Sequence, residues 1–235
     1  MNKILLYTLL ILLFLGLSKS FSPSSQKTSF VQTKLDLPSL TTGAPVSIVL
    51  TDAFDAGFLI KTYYLKLKIV HGFKQPETLV VRTNKKFYNE NKDNVGMSLF
   101  RRMERENKES LTPLPPGSIY VGDPAFGAWR YHNSGERRWH FHRVYRHFAR
   151  QFYWGDYRPN YDFFEKLKIH QKNEQPFYGL NGEFGTKGTL TEGLFKKSPY
   201  RDVGVRLNFL ENLKRYISIP SWNIEVKEVT DEVKG

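Results

Sequence analysis

The sequence predicts an α+β fold, and three observations carry that expectation. Between residues 45 and 83 apolar residues recur with the two-residue period of strands. Two alternating runs flank a turn signal between Trp129 and Phe141, and after Phe141 the apolar spacing lengthens to that of a helix. The architecture implied is an antiparallel sheet in the N-terminal half, followed by a β-hairpin and two to three helices.

The first twenty residues do not belong to that domain. Met1, Asn2 and Lys3 make a short positive start, and Ile4 to Leu17 is apolar apart from Tyr7, Thr8 and Gly16. Ser18-Lys19-Ser20 then sets small residues at the spacing a signal peptidase reads, which predicts a leader over 1–20 cleaved before Phe21. The apolar run is short of the roughly 20 residues that span a bilayer comfortably. Residues 21–44, rich in Ser, Thr, Gln and Pro without a period, are expected to form a flexible arm. A single domain is expected over 45–235.

Strands are predicted over Val46 to Leu50, an extended run ending at the polar stop Thr51-Asp52, over Tyr63 to His71, where side chains alternate, and over the apolar, β-branched run Thr78 to Thr83, the last two being neighbours joined through Gly72 to Pro76. Within the second, Leu65, Leu67 and Ile69 share a face with His71. Val95, Leu99, Phe100 and Met103 among Arg and Glu predict a helix over Asn94 to Asn107, capped near Asn94. The proline-rich run 112–117 reads as a stiff connection and a possible sub-boundary, followed by a short strand over Ser118 to Val121. Residues 181–193, with four glycines, predict a long loop. A helix over Arg206 to Ile217 and a strand over Trp222 to Lys227 complete the chain.

One stretch differs in chemistry. From Trp129 to Tyr157 there are six arginines, four histidines and three of the four tryptophans, and no lysine. Asn133-Ser134-Gly135-Glu136 is a turn signal. Pairing Tyr131 with Trp139 and Trp129 with Phe141 gathers the aromatics on one face of a hairpin and leaves Arg130, His132, Arg138, His140 and His142 on the other. Phe141, Val144, Tyr145, Phe148, Ala149 and Phe152 then recur at helical spacing, which predicts a helix over His142 to Tyr153, stopped at Gly155, with Arg143, Arg146, His147 and Arg150 pointing away from the core. Asn160 is placed to cap a further helix to His170.

Three roles stay open for this stretch. It can be structural, with aromatics in the core and arginines as a solvated rim. It can recognise an anion, because arginine forks match carboxylate and phosphate, and a merely soluble face would mix in lysine. It can also be a metal site built on His140, His142 and His132, although Arg130 and Arg138 would crowd a dication. The residues predicted to bind are Arg130, His132, Arg138, His140, His142, Arg143, Arg146 and Trp154. No metal or other cofactor is expected, since no dinucleotide or P-loop signature is present. Catalysis has no cysteine nucleophile and no Gly-x-Ser-x-Gly elbow to rest on.

Composition narrows the partners. The formal charge is +12, falling to +10 without Lys3 and Lys19, and the chain has no cysteine and no Asn-x-Ser/Thr sequon. In the cytoplasm such a surplus would suggest nucleic acid. For an exported chain nucleic acid drops out, and the anions on offer are envelope components or acidic protein subunits, with peripheral membrane contact and oligomeric assembly both open. The expected role is a non-catalytic protein of the bacterial periplasm or envelope, binding an anionic surface or serving as a subunit of an assembly such as an appendage or flagellar sheath. An envelope-polymer hydrolase is the alternative.

Overall fold

A computed structural model of the chain describes residues 3–21, 28–56, 61–103 and 109–195. The fold is α+β. Helix α1 (Lys3–Phe21) precedes a sheet made by β1 (Phe30–Val31), β2 (Val46–Ala56), β3 (Thr62–His71), β4 (Glu77–Thr83), β5 (Ser98–Arg102) and β6 (Glu109–Ser110), with α2 (Lys85–Asn91) between β4 and β5. The hairpin β7 (Gly127–Tyr131) and β8 (Arg137–Phe141) follows, and then α3 (His147–Gln151), α4 (Tyr161–Lys172) and α5 (Thr189–Phe195). The expected elements beyond residue 195 lie outside the described residues.

In space the six strands run β1-β4-β3-β2-β5-β6, antiparallel except for the short β1–β4 pair. Alternation along β2 sorts side chains to the two faces. Val46, Ile48 and Leu50 join Leu65, Leu67 and Ile69 of β3 and Val81 of β4 in one apolar cluster, closed by Leu37 and by Phe87 of α2. Val49 and Val70 face the opposite side, where Leu114, Tyr120, Trp139, Phe148, Phe152, Trp154, Phe163 and Phe177 form a second, aromatic cluster. The sheet therefore lies between a thin N-terminal cover and the aromatic C-terminal half. Lys68 ties the two together: its Nζ donates to the Gln151 carbonyl at 2.8 Å and stands 4.2 Å over the Tyr153 ring, and burial pulls its pKa down to about 8.

Several elements differ from the sequence-based expectation. Residues 94–103 contain no helix; Ser98 to Arg102 is a strand paired with β2, because its first four residues are all buried, which only the middle of a sheet provides here. Asn94 starts no helix, and its side chain donates to the Glu90 carbonyl in the last turn of α2 at 3.2 Å; the N-capped helix lies earlier, where the Asn84 side chain accepts from Phe87 N–H. Ser118–Tyr120 is a 3-10 turn entered through Gly117 at φ +76°, not a strand. From Phe30 onward the expected flexible arm is held in place: Ser29 and β1 pair with β4, residues Lys34–Leu40 form a 3-10 helix, and Val31 and Leu37 are buried. The proline-rich run is built into the aromatic core, with Leu114 and Ser98 exchanging both backbone hydrogen bonds.

Helix α1 exposes its apolar side chains from Ile4 to Leu15. Among the described residues no helix is long and apolar enough to cross a membrane.

Candidate cationic site

The hairpin is set by its turn. His132 N–H donates to the Glu136 carbonyl and Gly135 N–H to the His132 carbonyl, with Gly135 at φ +81°, a conformation that suits glycine. Trp129 consequently pairs with Trp139, Arg130 with Arg138 and Tyr131 with Arg137, two residues out from the expected register. A shift of two preserves the faces. Trp129 and Trp139 meet edge to face at 5.2 Å, and Phe141 stacks on Trp154 at 5.3 Å. Tyr131, expected among these aromatics, is instead exposed.

The other face collects cations. Arg130 and Arg138 are direct cross-strand partners, Ala128 opposes His140, and His132 follows on the same side. Residues 159 and 160 lie along the free edge of β8, where Trp139 N–H donates to the Pro159 carbonyl at 2.8 Å and Arg138 bridges to Asn160. That edge brings in Arg158, whose Nη1 is fixed by the Gly155 and Tyr157 carbonyls at 2.7 Å. Burial, then Arg130, Arg158, His132 and Arg138 in that order, hold the His140 pKa below the usual imidazole value. The one acid in an ion pair with the strip, among the described residues, is Glu136, whose Oε2 accepts from Arg138 Nη2 at 2.9 Å. An exposed pair of this kind contributes at most about 1 kcal/mol.

The remaining predicted residues are distributed differently. His142 donates from Nε2 to the Pro124 carbonyl at 3.0 Å. Arg143 and Arg146 are exposed, but they are not among the charges that act on His140. They sit on a turn rather than one continuous helix: Arg143–Tyr145 is 3-10, and the α-helix is confined to His147–Gln151. Val144, expected in the apolar stripe, is 64% exposed. Trp154 is not a surface residue: it is 1% exposed, and its indole N–H donates to the Pro116 carbonyl at 2.9 Å. Arg158 is the strip residue that sequence reasoning passed over, because its approach depends on the strand-like path of 158–160 and not on the hairpin pattern.

The strip concentrates cationic side chains on one face of the hairpin. Among the described residues no three His, Asp or Glu side chains gather to hold a metal ion. One hollow in the surface, about 380 Å³, is lined by Asp93, Tyr178, Phe184 and Lys187 with three glycines and Thr186, and no strip residue borders it. No family model, no curated protein and no solved structure matches this chain.

Proposed function

We propose that the protein is an exported, non-catalytic component of a bacterial envelope that binds an anionic surface or polymer through the hairpin strip. The observation that carries this is the direct opposition of Arg130 and Arg138 on a two-stranded ladder, with His140, His132 and Arg158 beside them and Glu136 the one acid ion-paired to the strip among the described residues. Like charges facing each other across a ladder oppose folding. A bound anion removes that repulsion, so the strip contributes to binding what it withholds from stability. Arginine forks favour carboxylate or phosphate groups, which envelope polymers carry. Export rests on the leader-like start, and the protein that cells accumulate is expected to begin at Phe21, as N-terminal sequencing of the purified chain would read directly.

The test is co-sedimentation of that protein with sacculi, outer-membrane fragments and surface appendages across a salt series. Binding to one fraction should weaken steeply with salt, because exposed charges are screened beyond about 8 Å at physiological ionic strength. Arg130→Gln/Arg138→Gln should weaken it by about tenfold, equivalent to roughly 1.4 kcal/mol. Equal and negligible binding of both proteins to every fraction would remove the proposal and direct attention to a hydrolase using the hollow beside Asp93.

A pH dependence follows from His140. Its folded-state pKa lies below that of the unfolded chain, so folding disfavours its proton, and an anion seated on the strip favours it. Binding should therefore tighten as pH falls below the ordinary imidazole range, while the contribution of this group to stability declines over the same interval. His140→Gln should flatten the part of the binding profile due to this residue. A binding profile identical in wild type and His140→Gln would place the anion elsewhere.

A further inference from the structure

Phe73, at the β3–β4 turn, is a large apolar side chain left 66% exposed. It is not a loose side chain. Its ring stacks on Tyr145 at 5.0 Å, Tyr145 packs against Phe126 at 5.0 Å and Phe148 at 5.4 Å, and Phe148 is fully buried. Phe73 is thus the outer end of an aromatic run rooted in the core. The same contact joins it to the turn carrying Val144, 64% exposed, whose carbonyl accepts from His147 Nδ1 at 3.1 Å, and His147 itself lies 6.1 Å from the Phe73 ring.

Charge brackets this apolar tip. Lys74 follows Phe73, and Arg143 and Arg146 flank Val144 and Tyr145; all three cations are exposed, and among the described residues none of them forms an ion pair. The charged groups that act on His71, where the β3–β4 turn begins, are Lys74 and the carboxylate Glu77. A concave site would suit a polymer chain, but here exposed apolar side chains stand among exposed cations. That combination suits a bilayer interface, where acyl chains lie beneath a layer of anionic headgroups.

We propose that Phe73 and Val144 insert into the interfacial layer of an anionic lipid bilayer while Lys74, Arg143 and Arg146 engage its headgroups. The inference rests on the anionic-surface reading above and names a lipid partner for a second patch of the same molecule. Order in the tip is already established by the Tyr145 stack, so insertion immobilises little that was free before.

The chain has no cysteine, so one introduced thiol is a unique label. An environment-sensitive dye on Gln75→Cys, in the protein cells accumulate from the full chain, should shift to the blue on phosphatidylglycerol vesicles and not on phosphatidylcholine vesicles. The same dye on Asn173→Cys, after α4, should stay unshifted. Phe73→Ser/Val144→Ser, both at exposed positions, should abolish the shift and weaken vesicle binding by about tenfold or more, while leaving salt-sensitive binding to sacculi unchanged and lowering the thermal midpoint only by the loss of the Tyr145 stack. Binding to anionic vesicles with the Gln75 dye still in water overturns the inserted tip and leaves the anionic-surface reading standing. Binding to sacculi alone does the same. No binding to vesicles or sacculi at low salt overturns both.

Discussion

Arg101→Ala is expected to destabilise the protein by about 3 kcal/mol, since it removes hydrogen bonds made by a charged donor and leaves buried acceptors unpaired. Arg101 is 3% exposed, with Nη1 donating to the Ser98 carbonyl at 3.0 Å and Nη2 to Ser110 Oγ and the Thr112 carbonyl, each at 2.7 Å. It thereby closes β5 against β6 and the start of the proline-rich run. Burial lowers its pKa to about 9, so below that pH it is charged in both folded and unfolded states and the expected loss is flat across the neutral range. Arg101→Lys should recover only part of it, because one ammonium group does not reproduce a planar fork aimed at three acceptors. Denaturant unfolding checks this, and a loss under about 1 kcal/mol would mean that water substitutes for the guanidinium.

Trp154→Ala should cost about 4 kcal/mol by opening a cavity against Phe141 and Phe152. The sharper test compares two milder changes. Trp154→Phe keeps an aromatic ring but leaves the Pro116 carbonyl without its indole donor. Trp139→Phe also keeps a ring, yet the Trp139 indole N–H is buried with no hydrogen-bond partner among the described residues, so its removal relieves a cost. The first substitution should therefore exceed the second by about 1 kcal/mol or more in unfolding free energy, although both shrink a fully buried tryptophan. Equal losses would show that ring volume alone matters at both positions.

How far the sequence revealed this fold depends on how each element meets the core. β3 was legible because Leu65, Leu67 and Ile69 alternate with half-buried Tyr64, Lys66 and Lys68, and β2 and β4 because each carries an apolar, β-branched run. β5 was not, because Ser98, Leu99, Phe100 and Arg101 are all buried and erase the alternation, while Val95, Leu99 and Met103 imitate helical spacing. On the hairpin, side-chain chemistry identified the two faces but not the register: a displacement by two residues leaves every side chain on its face, and only the turn over His132 to Glu136 distinguishes the alternatives. The cationic strip was legible in Arg130, His132, Arg138 and His140 because they are local. Arg158 and the burial of Trp154 were not, since both depend on where distant backbone carbonyls, Pro159 and Pro116, come to lie.

Those carbonyls give the proline-rich run its meaning. Thr112, Pro113, Pro115 and Pro116 accept from Arg101, Phe177 N–H, Ser118 N–H and Trp154 in turn. Three of the four acceptors are prolines, which offer no N–H of their own. Had other residues stood there, each would have brought a donor into a crowded interior with the neighbouring acceptors already engaged. The run is a rail of acceptors onto which strand, turn and indole are hung, and its prolines serve it by the proton they lack as much as by their stiffness.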